Sequence, residues 1–597
     1  MFLATTALKE FWKTDKPILF LGEWCLKYKE RNKWESLSYE VLKYPWQDRE
    51  LLSSAIQYCT HVYESVLDRL VEYMNRIHLV KYSPRYWRII LGPWLIYFTH
   101  TLYDRYICLR LAFERYPELN TILLSSESFV TPCNYYDFLT RCADDPYNMQ
   151  LYTQILENMG YSYPSKRLSI SNNLEQTFSL NRRIKIFLKK KYGRFLGLLS
   201  SGRPILLYDL HFRQSDIWRL CFYTGFKAWP VTYEGKYETG AEELPVDNNL
   251  RNKFQELQTQ SDDRFMKVLL GMLPTNLPVC YLEGYERIRE CANRVIDKRT
   301  CGIVSTFGWA SNEHFKFTAA EASERGVVLF GVQHGGASGI NKYTAGDEHI
   351  IANSDVFYTW GWTDKSHSKA RPLPDPGLQS LRNTGETILP SHNGMPALFV
   401  GTLFSRYLHY FRYCPLGPQV KQYIEWQIRF LRAVPDGMRD SFTVRLYPSD
   451  FGWANKSRLS NRVGNLNFDD GSVSYQERVK QCKLVVIDNC QTTYLETMLL
   501  NRPVILFYDP AFWDVSEEAE PYLENLQKAG ILYYNPESAA QKVTEVFNAP
   551  GTWWYSDTVQ AARKEFVDYF AVSAENWLDL WEKELLSCSV CGKQDKE

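Results

Sequence analysis

The sequence predicts an α/β protein made of two parallel-sheet halves. Three observations carry that reading. Short apolar runs that end in polar turns alternate with helical stretches over most of the chain, the rhythm of strands joined by crossover helices. The rhythm is interrupted once, at 371–394, where Pro, Gly, Ser and Asn replace any apolar periodicity. At 597 residues the chain is also too long for a single hydrophobic core.

In order, Pro17–Leu21 reads as the first strand, closed by Gly22-Glu23-Trp24. A long helical region follows over roughly 48–116, with Ile56, Cys59, Val62, Val66 and Leu70 at helical spacing. Within it the ring-rich section 87–98 reads as helix core, with an acceptor-binding face as the alternative. Thr121–Leu124 is a second strand, and 135–160 is helical. Pro204–Tyr208, Gly302–Thr306 and Val327–Val332 are strands, and His349–Ala352 and Val356–Trp360 continue the series. After the linker come strands at 396–400, 442–446, 484–487 and 503–507, with helices at 419–433, 475–481 and 494–500. From 552 a long aromatic-rich helix closes the chain. The expected division is 1–370, a linker 371–394, 395–550, and a C-terminal helix 551–597 that packs back. Two Rossmann-like domains facing a cleft, a large helical insertion in the first and a closing C-terminal helix together describe a GT-B-like architecture, that of nucleotide-sugar transferases.

Lys plus Arg equals Asp plus Glu, 69 each, so no global basic field recruits nucleic acid. The 14 cysteines lack framework spacing, which suits a reducing compartment. The lone Cys588-Ser-Val-Cys591 reads as tail, zinc needing further ligands. No basic n-region or long apolar h-region opens the chain, and 89–103 falls short of the ~20 residues a membrane span requires. A cytoplasmic protein is expected. The basic run Arg182–Lys191 reads as a solvated helix face, with an anionic lipid surface as the alternative and hence a peripheral contact at the inner membrane.

Chemistry concentrates where predicted strands end. Val327–Val332 opens into Gln333-His334-Gly335-Gly336, where glycines would allow positive φ and close approach of a ligand to the main chain. In the second half, the strand before Asp488 opens into Asn489-Cys490-Gln491-Thr492-Thr493 and then a helix carrying Glu496. Free N–H groups there suit a phosphate, the two hydroxyls could add donors, and Glu496 could accept from ribose. The competing account makes Thr492 an ordinary N-cap. Arg445 offers a bidentate fork and Tyr447 a hydroxyl, unless Arg445 pairs with Asp450.

The chain resembles a transferase family of bacterial O-antigen and surface-polysaccharide clusters. Phe20–Trp24, Tyr86–Ile89, Gly92–Trp94, Gln333–Gly336, Thr359–Trp362 and Thr492–Glu496 carry the resemblance. A looser similarity is to sialyl- and Kdo-transferases, which hold CMP with a His-Pro motif and a paired Ser/Thr motif. Thr492-Thr493 matches the pair, and Tyr447-Pro448 stands where His-Pro would be. The resemblance implies a nucleotide-sugar donor, a CMP-ulosonate first, a glycan or lipid-linked glycan acceptor, and no cofactor or metal. His334 and Glu23 are the candidate bases, with Glu348-His349 a third acid–base pair. His334 could instead bind the donor's anionic group. A polyol-phosphate transferase of the CDP-glycerol type and a non-catalytic sugar-nucleotide scaffold are the alternatives.

Overall fold

In the computed structural model of the chain, residues 1–168, 203–231, 244–258, 262–364, 367–387 and 395–591 are described. The basic run 182–191 and most of the C-terminal tail lie outside them. Two six-stranded sheets dominate, and every strand pair in both is parallel.

The first sheet runs in the order Ala370–Pro372, Val356–Thr359, Val328–Val332, Gly302–Ser305, Ile205–Tyr208, Ala228–Val231. The second runs Asn467–Phe468, Phe442–Arg445, Met395–Val400, Cys482–Ile487, Val504–Phe507, Leu532–Tyr533. Their central strands are buried on both faces, which is why they read as unbroken Val, Ile, Leu and Phe. In each sheet the chain starts near the middle, builds one side, then crosses over to build the other. Such a reversal leaves a crevice at the strands' carboxyl ends, where ligands bind open α/β sheets.

Several expectations are corrected. Ile18–Phe20 and Leu123–Leu124 are strands but join neither large sheet. The former pairs with Phe2–Ala4 and Tyr39–Val41, the latter with Ser165–Lys166. His349–Ala352 lies in the helix Ala345–Asn353, because a short apolar run buried on two sides carries no period to separate helix from strand. The 371–394 stretch is not plain linker. Its first residues complete the edge strand Ala370–Pro372, and Pro376–Thr387 is helical. The closing segment is three helices, Pro550–Trp554, Asp557–Phe570 and Trp577–Cys591.

The last of these crosses back to the first half. Trp581 is buried there, its indole donating to the Pro374 carbonyl at 2.8 Å, and Tyr358 donates to Glu584 at 3.0 Å. With two parallel-sheet units and a C-terminal helix returning to the first, the fold is GT-B.

The helical insertion is chiefly the pair Arg49–Ile77 and Pro84–Arg115. The second helix ties the halves together. Arg105, fully buried, donates to the Leu408 carbonyl at 2.6 Å, and Thr101 donates to that of His409 at 2.9 Å. The His100 ring accepts from the Phe411 amide at 3.0 Å. Segment 403–416 of the second half is thus held against the first by hydrogen bonds that burial strengthens. Among the described residues, no helix is long and apolar enough to cross a membrane.

Candidate functional site

Three neighbouring strands of the first sheet deliver side chains to its carboxyl edge. His211 follows Ile205–Tyr208, Thr306 and Phe307 follow Gly302–Ser305, and His334 follows Val328–Val332. The rings of His334 and Phe307 lie 5.8 Å apart, and that of His211 lies 5.6 Å from Phe307. Burial, and then the neighbouring His334, hold His211 below the usual imidazole range. His334 itself is exposed.

Behind it stands Asp347, buried on the helix Ala345–Asn353. Burial raises the Asp347 carboxyl above the usual range, opposed by the His334 ring and by a hydrogen bond from Ser338. The carboxyl is thus near enough to the ring to interact with it electrostatically.

The Gln-His-Gly-Gly loop is built differently from the sequence expectation. Gln333 does not face a ligand. Its Oε1 accepts from the Trp360 amide at 2.7 Å and the Trp362 indole at 2.8 Å, and its Nε2 donates to the Gly335 carbonyl at 2.8 Å. Every bond this buried amide makes fixes the loop. Gly335 and Gly336 do not take positive φ either; in this loop Gly339 does, at +75°. A Cβ on Gly336 would meet the Gln491 carbonyl at 3.1 Å and the Thr492 Cα at 3.2 Å. The two glycines are there for close approach of the other half of the protein. The Gly336 amide donates to the Thr492 hydroxyl at 3.1 Å across the seam.

That contact reassigns Thr492. Its hydroxyl makes no capping bond to the helix Thr493–Leu499, and it accepts from the first half instead. Thr493 faces the other way, into a cavity of about 510 Å³ at the ends of Met395–Val400 and Phe442–Arg445. Tyr447, Lys456 and Asn455 also line it. Tyr447 is 46% exposed and stacks on Phe451, leaving its hydroxyl open to a ligand. Lys456 lies over the Phe468 ring at 4.8 Å, with no carboxylate in ion-pair range among the described residues.

The remaining candidates have structural partners. Arg445 also lines that cavity, and through its Nη1 it pairs with Asp469 at 2.9 Å and donates to the Val473 carbonyl at 3.0 Å. The expected rival partner, Asp450, instead caps Asn455–Val463 through the amides of Ala454 and Asn455, each at 3.0 Å. Asn489 is buried, donating to Asp488 at 3.1 Å and accepting from the Gln491 amide at 3.2 Å. Glu496 accepts from Gln476 at 3.3 Å, and burial holds its carboxyl above the usual range.

Glu23 lies apart from His334, beyond the small sheet, and Lys421 pairs with it at 2.9 Å. Two bases following strands of one sheet was the expectation, but their strands belong to different sheets. Glu348 and His349 also separate, since adjacent residues on a helix point to different faces. Glu348 contacts His367 at 3.2 Å, whereas His349 is buried.

Sequence reasoning passed over Asp347, His211, Lys456 and Asp488. Asp488 is a buried carboxyl receiving Tyr423 at 2.6 Å and Gln427 at 2.7 Å, and burial raises it to about 6. Their signal was position: His211 and Asp488 each follow the last residue of a strand near the sheet's reversal point.

The cavities join. The 510 Å³ cavity shares Leu403 and Tyr447 with one of about 220 Å³ under segment 402–417, which also includes Gln491. The latter shares Tyr410 with one of about 200 Å³ beside His334. The three therefore lie in series between the second sheet's crevice and the first's.

A family model described as LIC12162 family transferase matches residues 1–585. No curated protein matches the chain. Among solved structures, α,α-trehalose 6-phosphate synthase from Burkholderia multivorans is similar at 11% identity, covering 66% of this chain and 100% of its own, with a TM-score of 0.36. UDP-GlcNAc 2-epimerase from Neisseria meningitidis gives 9% identity, 61% and 98% coverage, and a TM-score of 0.34. WaaG, a glycosyltransferase involved in lipopolysaccharide biosynthesis, gives 10% identity, 64% and 99% coverage, and a TM-score of 0.28.

Proposed function

Because the chain belongs to the LIC12162 family of transferases, we propose that it is a glycosyltransferase of bacterial surface-polysaccharide assembly, moving a sugar from a nucleotide-activated donor to a glycan acceptor. The observation that supports this reading is a row of neighbouring cavities, from one of about 510 Å³ at one sheet's reversal point to one beside His334 at the other's. A nucleotide fits the first end by size and by chemistry. Lys456 supplies a cation, and Thr493 and Tyr447 supply hydroxyl donors to a phosphate.

At the other end, His334 takes the proton of the acceptor hydroxyl as that oxygen attacks the donor's anomeric carbon. Asp347 stabilises the imidazolium that results. The leaving phosphate departs with its negative charge held in the second half. The donor is a co-substrate, and no resident cofactor or metal is proposed. A CMP-ulosonate is the donor to try first.

The first test is thermal unfolding with CMP, CDP, UDP and GDP, since a ligand that binds the native state raises its stability. One nucleotide should raise the midpoint, and its sugar conjugate should turn over with a glycan acceptor. A phosphodiester product would overturn the glycosyl reading, and absence of any nucleotide effect would overturn the donor site.

A further inference from the structure

The middle cavity of the row, about 220 Å³ under segment 402–417, holds a positive charge that the fold does not answer. Arg412 lines it, half-buried, and among the described residues its guanidinium forms no ion pair. The group donates to the Tyr410 hydroxyl at 2.8 Å and lies beside the Cys414 thiol. It also sits over the rings of Phe404 and Tyr410, 4.8 Å from each centroid. These contacts use few of its five N–H donors. None of its nitrogens is both sealed and unpartnered, so the donors left over are accessible.

The surroundings do not neutralise it. Among the described residues, no Asp or Glu lines this cavity or the one beside His334, with which it shares Tyr410. His409, the other basic side chain in the wall, stays neutral, because burial, then Arg105 and Arg412, lower it to about 3. Arg105 and Arg406, which also hold this part of the chain, each have a buried acid of their own. Asp104 lies 2.8 Å from the first and Asp145 2.9 Å from the second. The backbone carrying Arg412 is fixed on both sides, the Phe411 amide donating to His100 at 3.0 Å and the Cys414 amide to the Arg412 carbonyl at 3.1 Å. A half-buried cation without a counter-charge is costly, and ring contacts offset only part of that cost. An open guanidinium fork is also the group that takes a carboxylate in two parallel bonds.

We propose that Arg412 binds a carboxylate on the sugar that is transferred, so that the donor carries an acidic monosaccharide. The inference rests on the glycosyltransferase reading for the word transferred, and on Arg412 alone for the charge. Its cavity lies between the one assigned to the leaving phosphate and the one beside His334. The group held between a leaving phosphate and a base is the group that moves. Lys456 and Thr493 serve the phosphate from the first cavity, which leaves Arg412 for a second anion.

The test is ligand-observed saturation-transfer NMR on the full chain. The probes are the methyl glycosides of glucuronic, galacturonic and N-acetylneuraminic acid, each beside its methyl ester, which keeps the ring and removes the charge. At least one acid should bind wild type, and its ester roughly ten- to hundredfold more weakly. Arg412→Met should lose the same factor, and Arg412→Lys, which keeps the charge without the fork, should recover part of it. Thermal unfolding checks that both variants fold. No acid binding to wild type, or binding that the ester or a folded Arg412→Met leaves unchanged, overturns the proposal. If Arg412→Met instead weakens CDP and UDP but not CMP, the anion is a phosphate and the carboxylate is overturned. Nucleotide release from UDP-glucose at the rate measured with UDP-glucuronate would keep the transfer reading and overturn the acidic sugar. Acid binding that needs Arg412, with no nucleotide released from any sugar donor, would overturn the transfer reading and leave the anion site standing.

Discussion

Replacing Gly336 by alanine perturbs a place where the main chains of the two halves come close beside the site. The new methyl would stand 3.1 Å from the Gln491 carbonyl, 3.2 Å from the Thr492 Cα and 3.3 Å from the Leu495 Cδ2. Two of those three neighbours are backbone and cannot rotate aside, so relief requires the halves to separate by a few tenths of an ångström. The Gly336 amide reaches Thr492 at 3.1 Å, and that opening weakens the bond. Overpacking costs about 1–3 kcal/mol, and losing the hydrogen bond about 0.5–1.5 kcal/mol. The stiffer unfolded chain returns about 0.4–1 kcal/mol, leaving a net loss of about 0.5–4 kcal/mol. Hydrogen exchange read by mass spectrometry should show faster exchange in both 333–340 and 489–496, although the substitution touches only one. Gly437→Ala is the control, because a Cβ there meets nothing within 4 Å. Wild-type exchange in the 489–496 segment of Gly336→Ala would refute the seam as described.

Other substitutions separate the roles assigned above. His334→Ala should lower kcat by about 10²- to 10⁴-fold, and Asp347→Asn by less, with the donor KM unchanged in both; a wild-type kcat in Asp347→Asn would remove the orienting role. Thr493→Val and Lys456→Ala should each weaken nucleotide binding in calorimetry, the latter by about tenfold or more, while Thr492→Val should loosen the seam with little change in affinity. The reverse ranking of the two threonines would contradict their placement. For Asp469, burial works to raise the carboxyl, but the Gly471 amide and the Arg478 and Arg445 guanidinium groups outweigh it and hold it below its ordinary value of 3.8. A depressed acid contributes stability above its unfolded pKa and loses it as pH falls through the folded one. The wild-type advantage over Asp469→Asn in urea midpoint should therefore be full at pH 5 and shrink below about 3.8; a constant difference down to pH 2.5 would refute the linkage.

The parallel sheets were legible because local pattern dictates them. Strands buried on both faces must be mostly apolar, and Val328–Val332, Leu484–Ile487 and Val504–Phe507 announce themselves that way. Where those strands stop, the sequence also marks the site's address, since polar residues at a buried strand's end have few other reasons to be there. His334, Thr493 and Tyr447 were chosen on that ground, and each lines a cavity at a strand's end. Partnership is another matter. Nothing local distinguishes Thr492, which docks the other half, from Thr493, which faces the cavity. Arg445 and Asp469 are separated by a helix, and Gln333 is tied to the Trp360 amide and the Trp362 indole almost thirty residues away.

Sequence by itself determined the fold class, the rhythm of both halves and the strand ends at which chemistry collects, because these follow from periodicity and backbone conformation over a few residues. Only the tertiary structure decided which of those polar groups are already spent on one another. It put Asp347 near His334 and paired Arg445 with Asp469. Hydrogen bonds and ion pairs are satisfied between distant segments, and no local pattern records that pairing.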